Sequence, residues 1–141
     1  MSFSYSVLKY RPSYLLDEQL NIGLLFSFPE EKIIKFIAPK KLERIQLLYP
    51  DTSPFFLQLY LNNFRQKAYE ITQSEKEINH DKIVSDFIPV DANSLFFTKS
   101  VKGKYKNIEE TVSYYDKLYF DVYKMVLADA VEQLLENRKF I

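Results

Sequence analysis

Hydrophobic and polar residues alternate along three segments near the start of the chain. The first runs from Phe3 to Tyr10, the second from Gln19 to Phe28 and the third from Lys32 to Ala38. Because successive side chains of a strand point to opposite faces, this period of two predicts three strands joined as an antiparallel meander. In the second segment, every second residue is apolar, and these side chains are predicted to face the core. The residues between them, whose side chains point to the opposite face, are mostly small or polar. The apolar set is Leu20, Ile22, Leu24, Phe26 and Phe28, and the opposite set includes Asn21, Gly23 and Ser27.

The spacing of apolar residues changes to that of a helix after Pro39. Leu42 and Ile45 are spaced for a short helix. A second helix is predicted to begin near Pro54, which suits the first helical position because its missing N–H is not needed there, and to extend through Phe64.

The second half of the chain contains fewer predicted elements. The polar, acidic segment from Glu70 to Asp91 predicts a loop with a brief ordered piece, and Ser94 to Thr98 predicts a fourth strand. The motif Asn107-x-x-Glu110 resembles a capping box, and it predicts a last and longest helix that ends near Asn137. These elements predict an α+β fold in a single domain over residues 1–141. The expected architecture is a mainly antiparallel sheet of about four strands, with two or three helices on one face and a long C-terminal helix.

Composition narrows the classes of protein to consider. Hydrophobic residues make up 47% of the 141, so a core is expected, and 19 basic residues balance 19 acidic residues, which disfavours a general nucleic-acid binder. The chain has no cysteine, which excludes disulfides and thiolate metal sites. Its apolar runs are too short to span a bilayer and its start lacks the pattern of a signal peptide, so a cytoplasmic location without membrane attachment is expected.

Polar residues converge on the predicted turn between the first two strands. If the register places Ser4 and Ser6 beside Ser27, the face that carries them forms a shallow polar groove. A ligand there would suit a small enzyme or a nucleic-acid-processing factor, because glycine in a strand permits close approach. The structural alternative is that Gly23 accommodates a bulge or a large aromatic side chain from a helix, while Asn21 and Glu18 bond to loop backbone. The candidate groove residues are Lys9, Arg11, Glu18, Asn21, Gly23 and Arg44.

A lysine-rich segment, predicted to be a loop, offers a second candidate site. Lysines beside an aromatic ring can hold single-stranded nucleic acid through phosphate contacts and base stacking. The same pattern is typical of an ordinary solvated loop, and the neutral net charge favours that interpretation. The candidates are Lys99, Lys102, Lys104, Tyr105 and Lys106.

No motif indicates a catalytic or metal site. The single histidine, His80, lies beside Asp81 without the additional ligands that a metal requires, and it is interpreted as a surface histidine in a loop. No serine lies in a Gly-x-Ser-x-Gly setting, and no glycine loop suits a phosphate. We therefore expect no metal, no cofactor and no identifiable small molecule, and an enzyme is not favoured.

The last predicted helix carries more apolar surface than one contact with a sheet requires. A second stripe beside the main one is a candidate surface for a partner protein or a homo-oligomer. The alternative is that the two earlier helices cover this stripe within the monomer. The candidate residues are Phe120, Leu127, Val131 and Leu134.

The first two strands also carry a family resemblance. The blocks Tyr5–Pro12 (YSVLKYRP) and Glu18–Phe26 (EQLNIGLLF) resemble the opening of an uncharacterised bacterial family, domain of unknown function 3037. Members of that family look like small companions encoded beside kinase-like proteins, so the resemblance implies a partner-binding or regulatory subunit. The leading hypothesis is therefore a non-enzymatic interaction module with a protein partner.

Overall fold

Five antiparallel strands form one sheet in the computed structural model, which describes residues 1–11, 19–39, 42, 54–89, 92 and 94–121. The strands are β1 (Ser2–Tyr10), β2 (Leu20–Phe28), β3 (Ile33–Ile37), β4 (Leu95–Phe97) and β5 (Val101–Lys104). The order is β3-β2-β1-β4, and β5 pairs with β1 beyond β4 along the same edge. The predicted meander of three strands and the predicted fourth strand are confirmed.

Three α-helices in the described part of the chain accompany the sheet, which confirms the α+β class. They are α1 (Pro54–Gln73), α2 (His80–Phe87) and α3 (Ile108–Asp116), and a π-helical segment, Lys117–Asp121, continues α3. The predicted N-cap at Asn107 is confirmed, because its side-chain Oδ1 accepts a hydrogen bond from the backbone N–H of Glu110 at 3.0 Å. The predicted extension of the last helix to Asn137 and the short helix after Pro39 lie outside the described residues.

Two segments that were predicted to be mainly loop contain regular structure. The acidic segment contains the end of α1 and all of α2, whose N-terminus is capped by the side chain of Asn79, and α2 is the brief ordered piece expected there. The lysine-rich segment contains β5, whose register places Lys102 opposite Ser4. The prediction of a loop for the lysine-rich segment was wrong, because its lysines occupy the exposed positions of an edge strand.

A β-bulge in β2 changes which residues share a face. Leu8 lies opposite Gly23 but Lys9 lies opposite Asn21, so Ile22 is an extra residue on β2. The extra residue reverses the alternation. Leu24 therefore packs with one hydrophobic cluster and Ile22 with another, and the prediction of a single apolar face along all of β2 was wrong.

Helices cover both faces of the sheet, rather than the single face predicted. One cluster joins the sheet to α1 and α2, with Leu25, Phe36, Leu61, Phe64 and Phe87 among its buried members. The other cluster lies on the opposite face, against α3 and its π-helical continuation, and includes Phe3, Tyr5, Phe26, Phe28, Tyr105 and Phe120. The physical reason is that β1 and β2 are apolar on both sides, so a single layer of helices would leave one side in water.

Gly23 lies against an aromatic ring. A Cβ atom at this position would lie 2.7 Å from Cζ of Phe36 on the neighbouring strand. That ring packs in turn against Phe64 and Phe87, with centroids 5.6 and 6.1 Å away, so it has little room to move. The interpretation of Gly23 as a place for a bulge or a large aromatic agrees with this packing, although the aromatic comes from a strand and not from a helix.

We expect Gly23→Ala to lower the free energy of unfolding by about 1–3 kcal/mol, the usual effect of overpacking a tight core. Urea unfolding measures the change in free energy, both in the unmodified protein and in a variant that already carries Phe36→Leu. Because leucine lacks the ring atoms that the new methyl group meets, Gly23→Ala should cost less there. Equal costs in the two backgrounds would contradict the proposed clash.

Candidate functional site

A buried histidine joins α2 to the two central strands. The Nε2 atom of His80 lies 2.9 Å from the hydroxyl of Ser6 on β1, and its Nδ1 atom lies 2.5 Å from the hydroxyl of Ser27 on β2. All three side chains are buried, with His80 7% exposed, Ser6 1% and Ser27 0%. The prediction of a surface histidine in a loop was therefore wrong.

Local structure places these three groups together. Ser4 lies opposite Ser27 in the register, and Ser6 is two residues further along β1, so it shares the face of Ser4. The hydroxyls of Ser6 and Ser27, which meet His80, therefore come from the same face of the sheet. His80 is the first residue of α2, directly after the Asn79 cap. The Asn79 cap and the apolar spacing of Ile83, Val84 and Phe87 were the signals that could have revealed this helix.

The arrangement favours a neutral imidazole. Burial lowers the pKa of His80, and the neighbouring Asp81 carboxylate opposes part of that shift. The positive end of the α2 dipole also disfavours a protonated ring at this position. A neutral ring donates one hydrogen bond and accepts one, and each serine hydroxyl can rotate to supply the matching partner.

The same geometry argues against a serine nucleophile here. A nucleophilic serine with a histidine base must present its hydroxyl to a substrate. The hydroxyls of Ser6 and Ser27 are enclosed between the sheet and α2, where each is bonded to His80. The His80 contact is best described as a buried polar cross-link between a helix and the sheet.

Above the cross-link lies an open polar groove. One cavity of about 540 Å³ is lined by His80, Lys82, Ser100 and Lys102, among other residues, and a second of about 610 Å³ is lined by Ser2, Phe3, Lys102 and Lys104, among others. The two cavities share Ser4, Pro29 and Lys102. The predicted alignment of serines on one face is therefore present, but the groove lies beside β5 rather than at the first turn.

The described residues among those predicted at the first turn do not form one groove. Lys9 and Asn21 lie opposite each other on adjacent strands, whereas the bulge separates Asn21 from the face that carries Gly23. The ring of Phe36 fills the space over Gly23. The guanidinium Cζ of Arg11 lies 4.9 Å from the ring centroid of Phe96. Glu18 and Arg44 lie outside the described residues.

The lysine-rich segment keeps its cations at the surface but not its aromatic ring. Lys99, Lys102, Lys104 and Lys106 are exposed, while Tyr105 is 6% exposed and packs against Phe3 and Phe28. The hydroxyl of Tyr105 donates a hydrogen bond to Oε1 of Glu31 at 2.7 Å, and burial together with this carboxylate raises its pKa to about 12. Tyr105 is therefore unavailable for stacking on a base.

The predicted partner surface on the last helix is only partly described. Phe120 is 2% exposed and belongs to the cluster between the sheet and α3, so it does not lie on a surface. Leu127, Val131 and Leu134 lie outside the described residues. A surface that the sequence reasoning missed is on α1, where Phe55 is 67% exposed, Phe56 63% and Leu59 44%.

Within the part of the chain that the structure describes, no helix is long and apolar enough to cross a membrane. No group of three or more histidine, cysteine or acidic residues there is placed to hold a metal ion.

Comparison with known proteins identifies a family. The model described as "Protein of unknown function (DUF3037)" matches residues 5–113 of the 141. The match covers well over half of the chain, so the protein belongs to the DUF3037 family, and the resemblance of its first two strands is confirmed. No curated protein and no solved structure is significantly similar to it.

The His80 cross-link predicts a specific dependence of stability on pH. The unfolded chain takes up a proton at the ordinary histidine pKa of 6.5, whereas the folded protein, whose pKa is lowered, does so only at lower pH. The free energy of unfolding should therefore fall as the pH drops below about 6.5 and level off below the folded pKa. Urea unfolding at a series of pH values between about 5 and 7.5 measures this change in the free energy of unfolding. The range isolates the contribution of His80, because most carboxylates titrate at lower pH.

The control is His80→Gln, which keeps hydrogen-bonding groups but does not titrate. Its free energy of unfolding should vary less over the same range. Since the chain has one histidine, its imidazole NMR signals report the titration directly. A folded protein that titrates at or above the ordinary pKa would contradict the buried, neutral ring.

Proposed function

We propose that this protein is a non-enzymatic interaction module that binds a partner protein through the outward face of α1. The observation that carries the proposal is the exposure of Phe55, Phe56 and Leu59 at the start of that helix. Large apolar side chains that remain grouped in water mark binding surfaces more often than isolated ones do. The ring centroids of Phe55 and Phe56 lie 6.0 Å apart, so the two form one aromatic patch.

Helix geometry supports a dedicated surface. The buried side of α1 is formed by Leu57, Leu61, Phe64 and Ala68. At about 100° per residue, Phe55 and Leu59 project from the opposite side of the helix. The core contact therefore does not explain why these positions are apolar.

The outward face continues along the helix without charge. Spaced alternately by three and four residues, its exposed positions are Phe55, Leu59, Asn62, Gln66, Tyr69 and Gln73. The apolar members of this face are Phe55, Leu59 and Tyr69, and the first two lie on consecutive turns at the start of the helix. We therefore infer that the partner presents an amphipathic helix, with its apolar side toward Phe55, Phe56 and Leu59.

A kinase-like companion is the partner that the family resemblance favours. The non-enzymatic part of the proposal is supported by the buried serines around His80, which occupy both ring nitrogens of the histidine. A regulatory subunit needs a binding surface and no reacting group of its own, and the α1 face supplies such a surface.

The test is binding of the purified kinase-like protein encoded by a neighbouring gene, measured by calorimetry. The double substitution Phe55→Ser and Phe56→Ser should weaken binding roughly 30-fold or more, the effect of losing about 2 kcal/mol at an interface hot spot. It should leave the urea midpoint nearly unchanged, because both side chains are already exposed.

The matched control is Tyr114→Ser. Tyr114 is 62% exposed, similar to the two phenylalanines, but it lies on α3 at the opposite face of the sheet. This variant should bind normally. Equal binding by the double variant and the unmodified protein would contradict the proposed surface.

A further inference from the structure

The outer edge of β5 has the geometry to accept another strand. The backbone N–H of Tyr105 donates to the carbonyl of Met1. Because every second residue of an antiparallel strand bonds to the same neighbour, the backbone groups of Gly103 and Val101 also point toward β1. The backbone groups of Lys102 and Lys104 therefore point away from β1. No strand among the described residues pairs with that side.

The β5 segment itself carries charges of one sign. Lys99, Lys102, Lys104 and Lys106 occupy four of eight consecutive positions, and all four are exposed, in a chain whose net charge is zero. Carboxylates lie nearby: Glu30 and Glu31 accept hydrogen bonds from the backbone N–H of Ser2 and from the Tyr105 hydroxyl, and Glu77 and Asp81 line the cavity that Lys102 also lines. The positive charge is therefore concentrated on the segment of β5, beside the place that an added strand would occupy.

The two faces of β5 differ in chemistry. Lys102 and Lys104 lie opposite Ser4 and Ser2, on the side that carries the polar groove. Val101 and Gly103 lie on the other side, where Val101 is 47% exposed. A strand added next to β5 would place alternate side chains beside the lysines and beside Val101.

We propose that the outer edge of β5 binds an extended acidic segment of another protein as an added β-strand. Its backbone bonds to Lys102 and Lys104, its acidic side chains lie beside their ammonium groups, and its alternate apolar side chains pack near Val101. This site is separate from the α1 surface and does not depend on the function proposed for it.

An acidic peptide fits the edge better than a nucleic acid does. Single-stranded nucleic acids gain much of their affinity from stacking on aromatic rings. The one aromatic residue within the lysine-rich segment, Tyr105, is buried against Phe3 and Phe28. The edge instead offers alternating backbone donors and acceptors, which a peptide strand can match in full, whereas a phosphate backbone has only acceptors and cannot bond to the carbonyls.

Fluorescence anisotropy tests the proposal with a labelled decapeptide of alternating glutamate and valine. The intact protein should bind it, and binding should weaken between about 50 and 300 mM salt as screening increases. The double substitution Lys102→Glu and Lys104→Glu should weaken binding by at least about tenfold. The control Lys35→Glu reverses an exposed lysine on β3, at the other edge of the sheet, and should change binding by less than about twofold.

Two further probes separate strand addition from simple charge attraction. A peptide of the same sequence with alternate backbone nitrogens methylated keeps its charge but cannot pair along an edge, so it should bind at least about tenfold more weakly. This arm uses the unmodified protein and is independent of variant folding. Equal binding of the methylated peptide, tighter binding of an oligothymidylate, or no binding of the glutamate–valine peptide would each overturn the proposal. The Phe55→Ser and Phe56→Ser variant should bind the peptide normally, which distinguishes the two surfaces.

Discussion

The rest of the structure depends on the burial of both faces of the β1–β2 pair. Leu24 and Leu25 are consecutive on β2, point to opposite faces and are both 0% exposed. Each face therefore needs its own cover, and α1 with α2 supplies one while α3 supplies the other. The bulge at Ile22 contributes to this two-sided burial. Because of it, Ile22 packs in the cluster on the α1 side, whereas Leu24, two residues later, packs in the cluster on the α3 side.

Two-sided burial also explains the His80 cross-link. Ser6 and Ser27 place hydroxyls where water does not reach, and an unpaired buried hydroxyl is costly. One imidazole satisfies both hydroxyls because its two nitrogens bond to different partners. With the centre of the sheet closed in this way, the surfaces available for binding lie at its periphery, on the outer side of α1 and along β5.

The sequence predicted the strands well and their surroundings less well. The alternation in β1, β2 and β3 was visible because each strand repeats a period of two over several residues. The bulge at Ile22 was not visible in the sequence. One extra residue leaves the sequence of apolar residues in β2 unchanged, but it reverses the face to which the side chains before and after it point. Helix α2 was predicted only as a brief ordered piece, because the charges of Asp81, Lys82 and Asp86 concealed an apolar spacing that begins at a good N-cap.

The candidate site was harder to predict for a different reason. The serines on one face were recognised, but their partner His80 lies more than fifty residues further along the chain, and no local pattern connects them. Tyr105 looked available for stacking because sequence gives residue type and not burial. Phe55 and Phe56 are of a residue type common in cores, and only the helix register shows that they lie on the outward side.

The central claim is that the β1–β2 pair, covered on both faces, is the last part of the protein to open. Native-state amide hydrogen exchange followed by NMR tests it most directly. The amide protons of Ser4, Ser6, Leu25 and Ser27, at positions where β1 and β2 pair, should exchange only through global unfolding, with opening free energies equal to the free energy of unfolding. Exchange at those positions through a much less costly opening than at the ends of α1 would contradict the two-sided core.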